Sequence, residues 1–159
     1  MNIRAAAPDD IPLVLDLIRG LAQYEKLSHE VEATEALLRS SLFPEGGRPA
    51  AECILAFDGG VPAGFAVFFW SFSTFLARPG LFLEDLFVVP EMRGRGVGRA
   101  LILHLARLAN ERGCGRMEWA VLDWNEPALG FYRALGARPR DGWTTFRLSG
   151  DPLDRLAQS

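Results

Sequence analysis

Apolar residues recur along the first part of the chain at Ile11, Val14, Leu15, Ile18, Leu21 and Ala22, the three- and four-residue spacing of one helical face. Pro8-Asp9-Asp10 precedes them and reads as a helix start, because carboxylates are favoured at the positive end of the helix dipole. A short strand over 3–6 comes first, and a second helix is expected over 30–42, followed by a loop at 44–49 rich in Pro and Gly. The period then changes. Residues 53–57 and 61–72 read as strands joined at Asp58-Gly59-Gly60, a hairpin turn signal. Residues 81–89 read as another strand, stopped by Pro90. Helical spacing returns at Val97, Leu101, Leu105 and Leu108 within 96–112, and Gly113 fits a helix C-terminus. A strand over 116–122, a short helix over 127–135 and a last strand over 143–148 complete the pattern. The order β-α-α-β-β-β-α-β-α-β predicts an α/β (α+β) fold, a mixed sheet with helices on its faces.

At 159 residues the chain suits one domain, 1–159. Its 49% hydrophobic and 23% charged residues are globular values and argue against disorder. No apolar run reaches the ~20 residues that span a bilayer. Met1-Asn2-Ile3-Arg4 lacks a signal-peptide core, so a cytoplasmic protein without membrane contacts is expected. Cys53 and Cys114 form no CxxC pair and fit buried hydrophobes in a reducing compartment. With only His29 and His104 besides, no metal is expected. A net charge of −3 argues against nucleic acid and leaves room for a cationic substrate. Lys26 is the only lysine, which excludes the Gly-Lys-Ser/Thr ending of a P-loop.

The most informative segment is Arg93-Gly94-Arg95-Gly96-Val97-Gly98, between a strand and a long helix. Glycines permit positive φ and close approach of a ligand, and the first N–H groups of the helix form an anion site. Arg93, Arg95 and Arg99 add positive charge. The Rossmann pattern fails, since Arg99 stands where its third glycine belongs. Arg-x-x-Gly-x-Gly after Leu-Phe-Val-Val-Pro-Glu resembles the pyrophosphate-binding motif of the GNAT acyltransferase superfamily. Asn125-x-x-Ala128 followed by Phe131-Tyr132 and Gly136 is similar to the GNAT segment that borders the thioester. Leu21-Ala22-Gln23-Tyr24-Glu25-Lys26, Leu83-Glu84-Asp85-Leu86-Phe87-Val88, Trp124-Asn125-Glu126-Pro127 and Gly142-Trp143 resemble the spermidine/spermine and thialysine acetyltransferase subfamily. The resemblance spans about residues 3–148 and implies a GNAT fold with a central mixed, mostly antiparallel sheet. It also implies acetyl-CoA as cosubstrate and, as usual for the subfamily, a homodimer.

The expected reaction moves an acetyl group to a primary amine of a small cationic molecule (a diamine, a polyamine or a thialysine-like compound). Acetylation of a protein N-terminus or lysine, or a non-catalytic acyl-CoA sensor, are the alternatives. A lysine-like amine of pKa near 10.4 is only about 0.1% neutral at pH 7.4, so a base must take its proton. An acid should protonate the departing thiolate. Tyr132 is the expected acid, since its phenol is protonated at neutral pH and the resemblance implies a tyrosine beside the sulfur. Glu84 is the expected base or water-positioning carboxylate. Alternation puts Phe82, Glu84, Leu86 and Val88 on one strand face and Asp85 and Phe87 on the other, and absent a bulge the two acids cannot face the cofactor together. The resemblance favours Glu84. It also implies that the Leu86, Phe87 and Val88 backbone pairs with pantetheine amides, as an added strand would. Tyr24 and Glu25, ending the first helix where the dipole disfavours negative charge, are candidates for the cationic substrate. Glu118, with Trp119 and Ala120 beside it, is a further candidate. Trp70 to Leu76 is too apolar for a solvated loop and is expected at an interface or cleft.

Overall fold

A computed structural model describes residues 1–159 and carries one five-stranded sheet in sequential order: β1 (Asn2–Ala5), β2 (Glu52–Asp58), β3 (Val61–Ser73), β4 (Arg78–Val88) and β5 (Met117–Trp119). The first four strands are antiparallel to their neighbours and β5 is parallel to β4. This is the mixed, mostly antiparallel sheet expected. It lies with α1 (Ile11–Tyr24), α2 (Glu35–Leu42) and α3 (Val97–Glu111) in one compact unit, Met1–Ala120. A second unit, Val121–Ser159, contains α4 (Glu126–Ala134) and α5 (Asp151–Ala157).

Cross-strand partners share a face, so the register sorts the sheet into two sides. Cys53 pairs with Val67, Leu55 with Phe65, and Phe65 with Phe87. All five are buried in one cluster with Ile11, Val14, Leu17 and Leu21 of α1 and Leu42 of α2. The apolar stripe read from the sequence is therefore the packed face of α1. Gly20 lets this helix come close: a Cβ there would lie 3.0 Å from the Phe87 ring. The start of α1 is fixed by Asp10, which accepts from Arg4 Nη1 at 2.6 Å, Arg4 Nη2 at 2.9 Å and the Ala7 backbone N–H at 2.7 Å. On α3 the buried residues are Val97, Leu101, Ile102, Leu105 and Ala109, and this helix packs on β2, β3 and β4. Cys53 behaves as the expected buried hydrophobe, with burial pushing its thiol up to about 12.

Two readings are corrected. The helix expected from Glu30 begins at Glu35, because Thr34 Oγ1 accepts from Leu37 N–H at 3.2 Å and caps it; Ser28–Glu30 is a separate 3-10 turn. The last strand, 143–148, is absent. Its alternation has no buried face to fix it, since Trp143 is 76% and Phe146 92% exposed. In its place, Asp151-Pro152 starts α5 with acids in the first turn and Arg155 in the last, a signal the apolar pattern did not carry.

Candidate active site

Strand β4 contains one residue more than its partner. Val67 faces Asp85 and Phe68 faces Leu83, which leaves Glu84 unpaired at a bulge. The bulge reverses the alternation beyond it. Phe82, stacked on Phe69 at 5.0 Å, shares a face with Asp85 and Phe87, whereas Leu86 and Val88 share the other with Leu81 and Leu83. The regular alternation that set Glu84 with Leu86 and Val88 is thereby corrected. Asp85 lies on the α1 side, and α1 ends at Tyr24 with Glu25 as its next residue.

The electrostatics agree with this placement. Burial pushes the Asp85 carboxyl from 3.8 up to about 6, and repulsion from Glu84 and Glu25 adds to the shift. Burial also raises Glu25. Asp85 thus feels the charges of Glu84 and Glu25, and the three acids do not form a group that could hold a metal ion. Asp85 was not singled out from the sequence. Its signal was the Glu-Asp pair inside an apolar strand, since regular alternation would force one of two adjacent acids into the core.

The β5 ladder stops with Leu83 opposite Trp119, so no strand pairs with 84–88 on that side of β4. This is the edge on which Leu86, Phe87 and Val88 were expected to receive amides. Glu118 pairs with Phe82 across the ladder, and its carboxylate is ion-paired to Arg116. Its charge is thereby offset by the residue just before β5. Trp119 is half-buried and Ala120 exposed.

After β4, a 3-10 turn over Pro90–Met92 leads into the glycines. Gly94 has φ +74 and Gly96 φ +81, and a Cβ at either would meet nothing within 4 Å. Left-handed backbone, rather than crowding, is what requires glycine here. Gly96 caps α3 without a side-chain bond. The first N–H groups of the helix, at Val97, Gly98 and Arg99, therefore lack intrahelical acceptors and suit a phosphate. Arg95 reaches Asp58 at 3.6 Å. Arg93 is engaged otherwise: its guanidinium lies 4.6 Å from the centre of the Tyr24 ring.

In the second unit, Asn125 is buried and caps α4, its Oδ1 accepting from Ala128 N–H at 3.4 Å. That bond is the physical reason for the Asn-x-x-Ala spacing. Tyr132 is half-buried on α4, its ring centre 5.2 Å from that of Phe131.

A strand bulged at its acids, with an unpaired edge running into a glycine turn and a helix N-terminus, provides the parts an acyl-CoA transferase needs. The pattern of the acetyltransferase (GNAT) family matches residues 18–137, and the chain belongs to that family. It is an acetyl-CoA-dependent N-acetyltransferase. It is 39% identical to a thialysine N-epsilon-acetyltransferase of Bos taurus, over 98% of this chain and 96% of that one. It is 31% identical to an L-ornithine N5-acetyltransferase of Arabidopsis thaliana, over 98% of this chain and 87% of that one. Among solved structures, an integron cassette protein from V. cholerae superposes with a TM-score of 0.81 at 27% identity, covering 99% of this chain and 98% of that one.

Proposed function

We propose that the chain acetylates the terminal primary amine of a small cationic molecule, a basic amino acid of the thialysine or ornithine type or a related diamine or polyamine. The observation that carries this reading is Asp85, placed by the β4 bulge on the α1 side and subject to the negative charges of Glu84 and of Glu25 at the end of α1. Half-buried Glu25 and Asp85, with the exposed Glu84 carboxylate near them, are stabilised by a cation close by. The relatives named for thialysine and ornithine acetylation support the same substrate class.

In this reading residues 1–159 act as one catalytic domain. Backbone N–H groups from Gly94 to Arg99 receive the pyrophosphate, and the edge at Leu86 to Val88 receives pantetheine amides. Asn125, Ala128 and Tyr132 border the thioester. Tyr24, Glu25 and Glu84 take the amine, with Glu118, Trp119 and Ala120 further along. Reaching the neutral amine costs about 4 kcal/mol at pH 7.4. Asp85, with its carboxyl raised to about 6, is a stronger base than an ordinary aspartate. It takes the ammonium proton with Glu84 beside it. The amine nitrogen attacks the thioester carbon, the C–S bond breaks and Tyr132 gives its proton to the thiolate, while the nitrogen sheds its second proton through water, which restores the Tyr132 phenol; Asp85 passes the first proton to solvent. A cytoplasmic homodimer belongs to the same reading. No helix is long and apolar enough to cross a membrane. Phe72, Phe75 and Leu76 at the β3–β4 turn are 64%, 99% and 49% exposed, an apolar surface suited to a second copy.

Thiol release from acetyl-CoA, screened against ornithine, thialysine, lysine, diamines, spermidine and short peptides, tests the proposal. Release with at least one small cationic amine is expected. Release with peptides alone, or with none of the amines, defeats it. The cofactor side is tested by Gly96→Val. A β-branched residue at φ +81 is strained, so the turn that presents the N–H groups has to change conformation. Acetyl-CoA affinity measured by calorimetry is expected to fall roughly tenfold or more, a loss of about 1.4 kcal/mol, with the far-UV spectrum preserved. A folded variant with wild-type affinity would remove the turn from the site.

A further inference from the structure

We propose that Arg93, although it opens the glycine turn assigned to the phosphates, serves the amine side as a positioning residue: its side chain holds the end of α1, and with it Glu25, against the end of β4 that follows the bulge. The inference rests on the function proposed above and assigns one residue of that site a different task.

The path of the chain explains how the side chain gets there. The 3-10 turn after β4 reverses the backbone, with Met92 N–H donating to Val89 O at 2.9 Å and Arg93 N–H to Pro90 O at 3.2 Å. Arg93 Nε then donates to the carbonyl of Val88, the last residue of β4, at 3.2 Å. The guanidinium carbon sits 4.6 Å from the Tyr24 ring centre and 5.9 Å from that of Phe87. On α1, Gly20 approaches the same Phe87 ring so closely that a Cβ would lie 3.0 Å from it. Gly20, Phe87, Arg93 and Tyr24 therefore form a continuous stack that fastens the last turn of α1 to β4.

This fastening matters because α1 ends awkwardly. Lys26, next after Glu25, has φ +62, a left-handed conformation that a residue with a side chain adopts at a cost. Leu27 N–H reaches back to Ala22 O at 2.8 Å across it. Such an ending persists where packing holds the residues before it. Arginine suits this task better than lysine. It presents a flat cation to the Tyr24 ring while Nε makes a directed bond to a carbonyl, whereas a phosphate contact through charge is open to either residue.

Arg93→Lys separates the two tasks, because it keeps the charge and loses the plane and Nε. Acetyl-CoA affinity is measured by calorimetry, and steady-state kinetics are measured with the best amine of the thiol-release screen. The expected result is acetyl-CoA Kd within about threefold of wild type and amine KM raised roughly fivefold or more, with kcat nearly unchanged. Tyr24→Leu removes the other half of the contact and is made as the partner for the double variant. The double variant should lose no more kcat/KM for the amine than the worse single variant, because both remove one contact. A rise in acetyl-CoA Kd with unchanged amine KM overturns the proposal, as do additive losses in the double variant. A wild type that acetylates no small amine defeats the proposed function separately. The Arg93 assignment is then decided by calorimetry and melting: retained acetyl-CoA affinity with non-additive Tm losses at Arg93 and Tyr24 supports it, and lost affinity or additivity overturns it. Arg93→Gln is the companion variant should lysine fold poorly, with the same expectations for amine KM and the double variant.

Discussion

Tyr132→Phe is expected to bind acetyl-CoA as wild type does and to turn over roughly 10²–10⁴-fold more slowly, the range for loss of a general acid. The substitution removes one oxygen and keeps the ring, so the packing of Tyr132 beside Phe131 on α4 survives. The Asn125 cap three residues before Ala128 is untouched as well. What disappears is a proton donor for a thiolate whose conjugate acid has a pKa near 8.5. Calorimetry with acetyl-CoA and steady-state rates with one amine read the two effects separately. The deficit should persist at high pH, because making more neutral amine does not supply a proton to sulfur. Turnover within about threefold of wild type, far smaller than that range, would mean the thiolate takes its proton from water or substrate.

The parts of the molecule written in local pattern were legible in the sequence. The stripe on α1 and the period of α3 follow from side-chain spacing, and positive φ at Gly94 and Gly96 follows from residue type. The GNAT resemblance likewise rested on contiguous motifs, and the family match over 18–137 agrees with it. What escaped depends on long-range registration. Whether β4 alternates regularly or bulges at Glu84 is decided by its pairing with β3, and one extra residue moves every later side chain to the opposite face. Asp85 was hidden by that slip. The stack of Arg93 on Tyr24 was hidden because the two are far apart in the chain and meet only where β4 and α1 pack. Gly20 carried a readable hint: a glycine inside a helical pattern asks for a packing reason, and Phe87 supplies it. The expected strand at 143–148 failed in the reverse direction, since local propensity without a partner does not make a sheet.

Asp85→Asn should lower kcat/KM for the amine about 10²-fold at neutral pH while making the protein more stable there. The two effects share one cause. Burial and the nearby Glu84 and Glu25 charges raise the Asp85 carboxyl from 3.8 to about 6. A raised acid favours the folded state below its unfolded pKa, and that benefit is lost as pH rises through the folded value. Above pH 6 the ionised carboxylate therefore works against folding, and asparagine relieves it. Partial hydration of Asp85 reduces the gain to about 1 kcal/mol, or a Tm roughly 2–4 °C higher at pH 7.5. The difference should shrink as pH falls from 6 towards 4. Catalysis should move oppositely. In wild type the enzyme meets the amine as ammonium, and kcat/KM should fall on the acid side with an apparent pKa of about 6 as Asp85 protonates. The asparagine variant should lack that limb and react only with amine already neutral, so its rate should climb with pH towards the amine's own pKa. Because the variant is the more stable protein, its lost activity is not unfolding. Paired pH profiles and melting curves for Asp85→Asn and Glu84→Gln decide the matter. If Glu84→Gln abolishes the limb and Asp85→Asn retains it, Glu84 is the base and Asp85 only shapes the field around it.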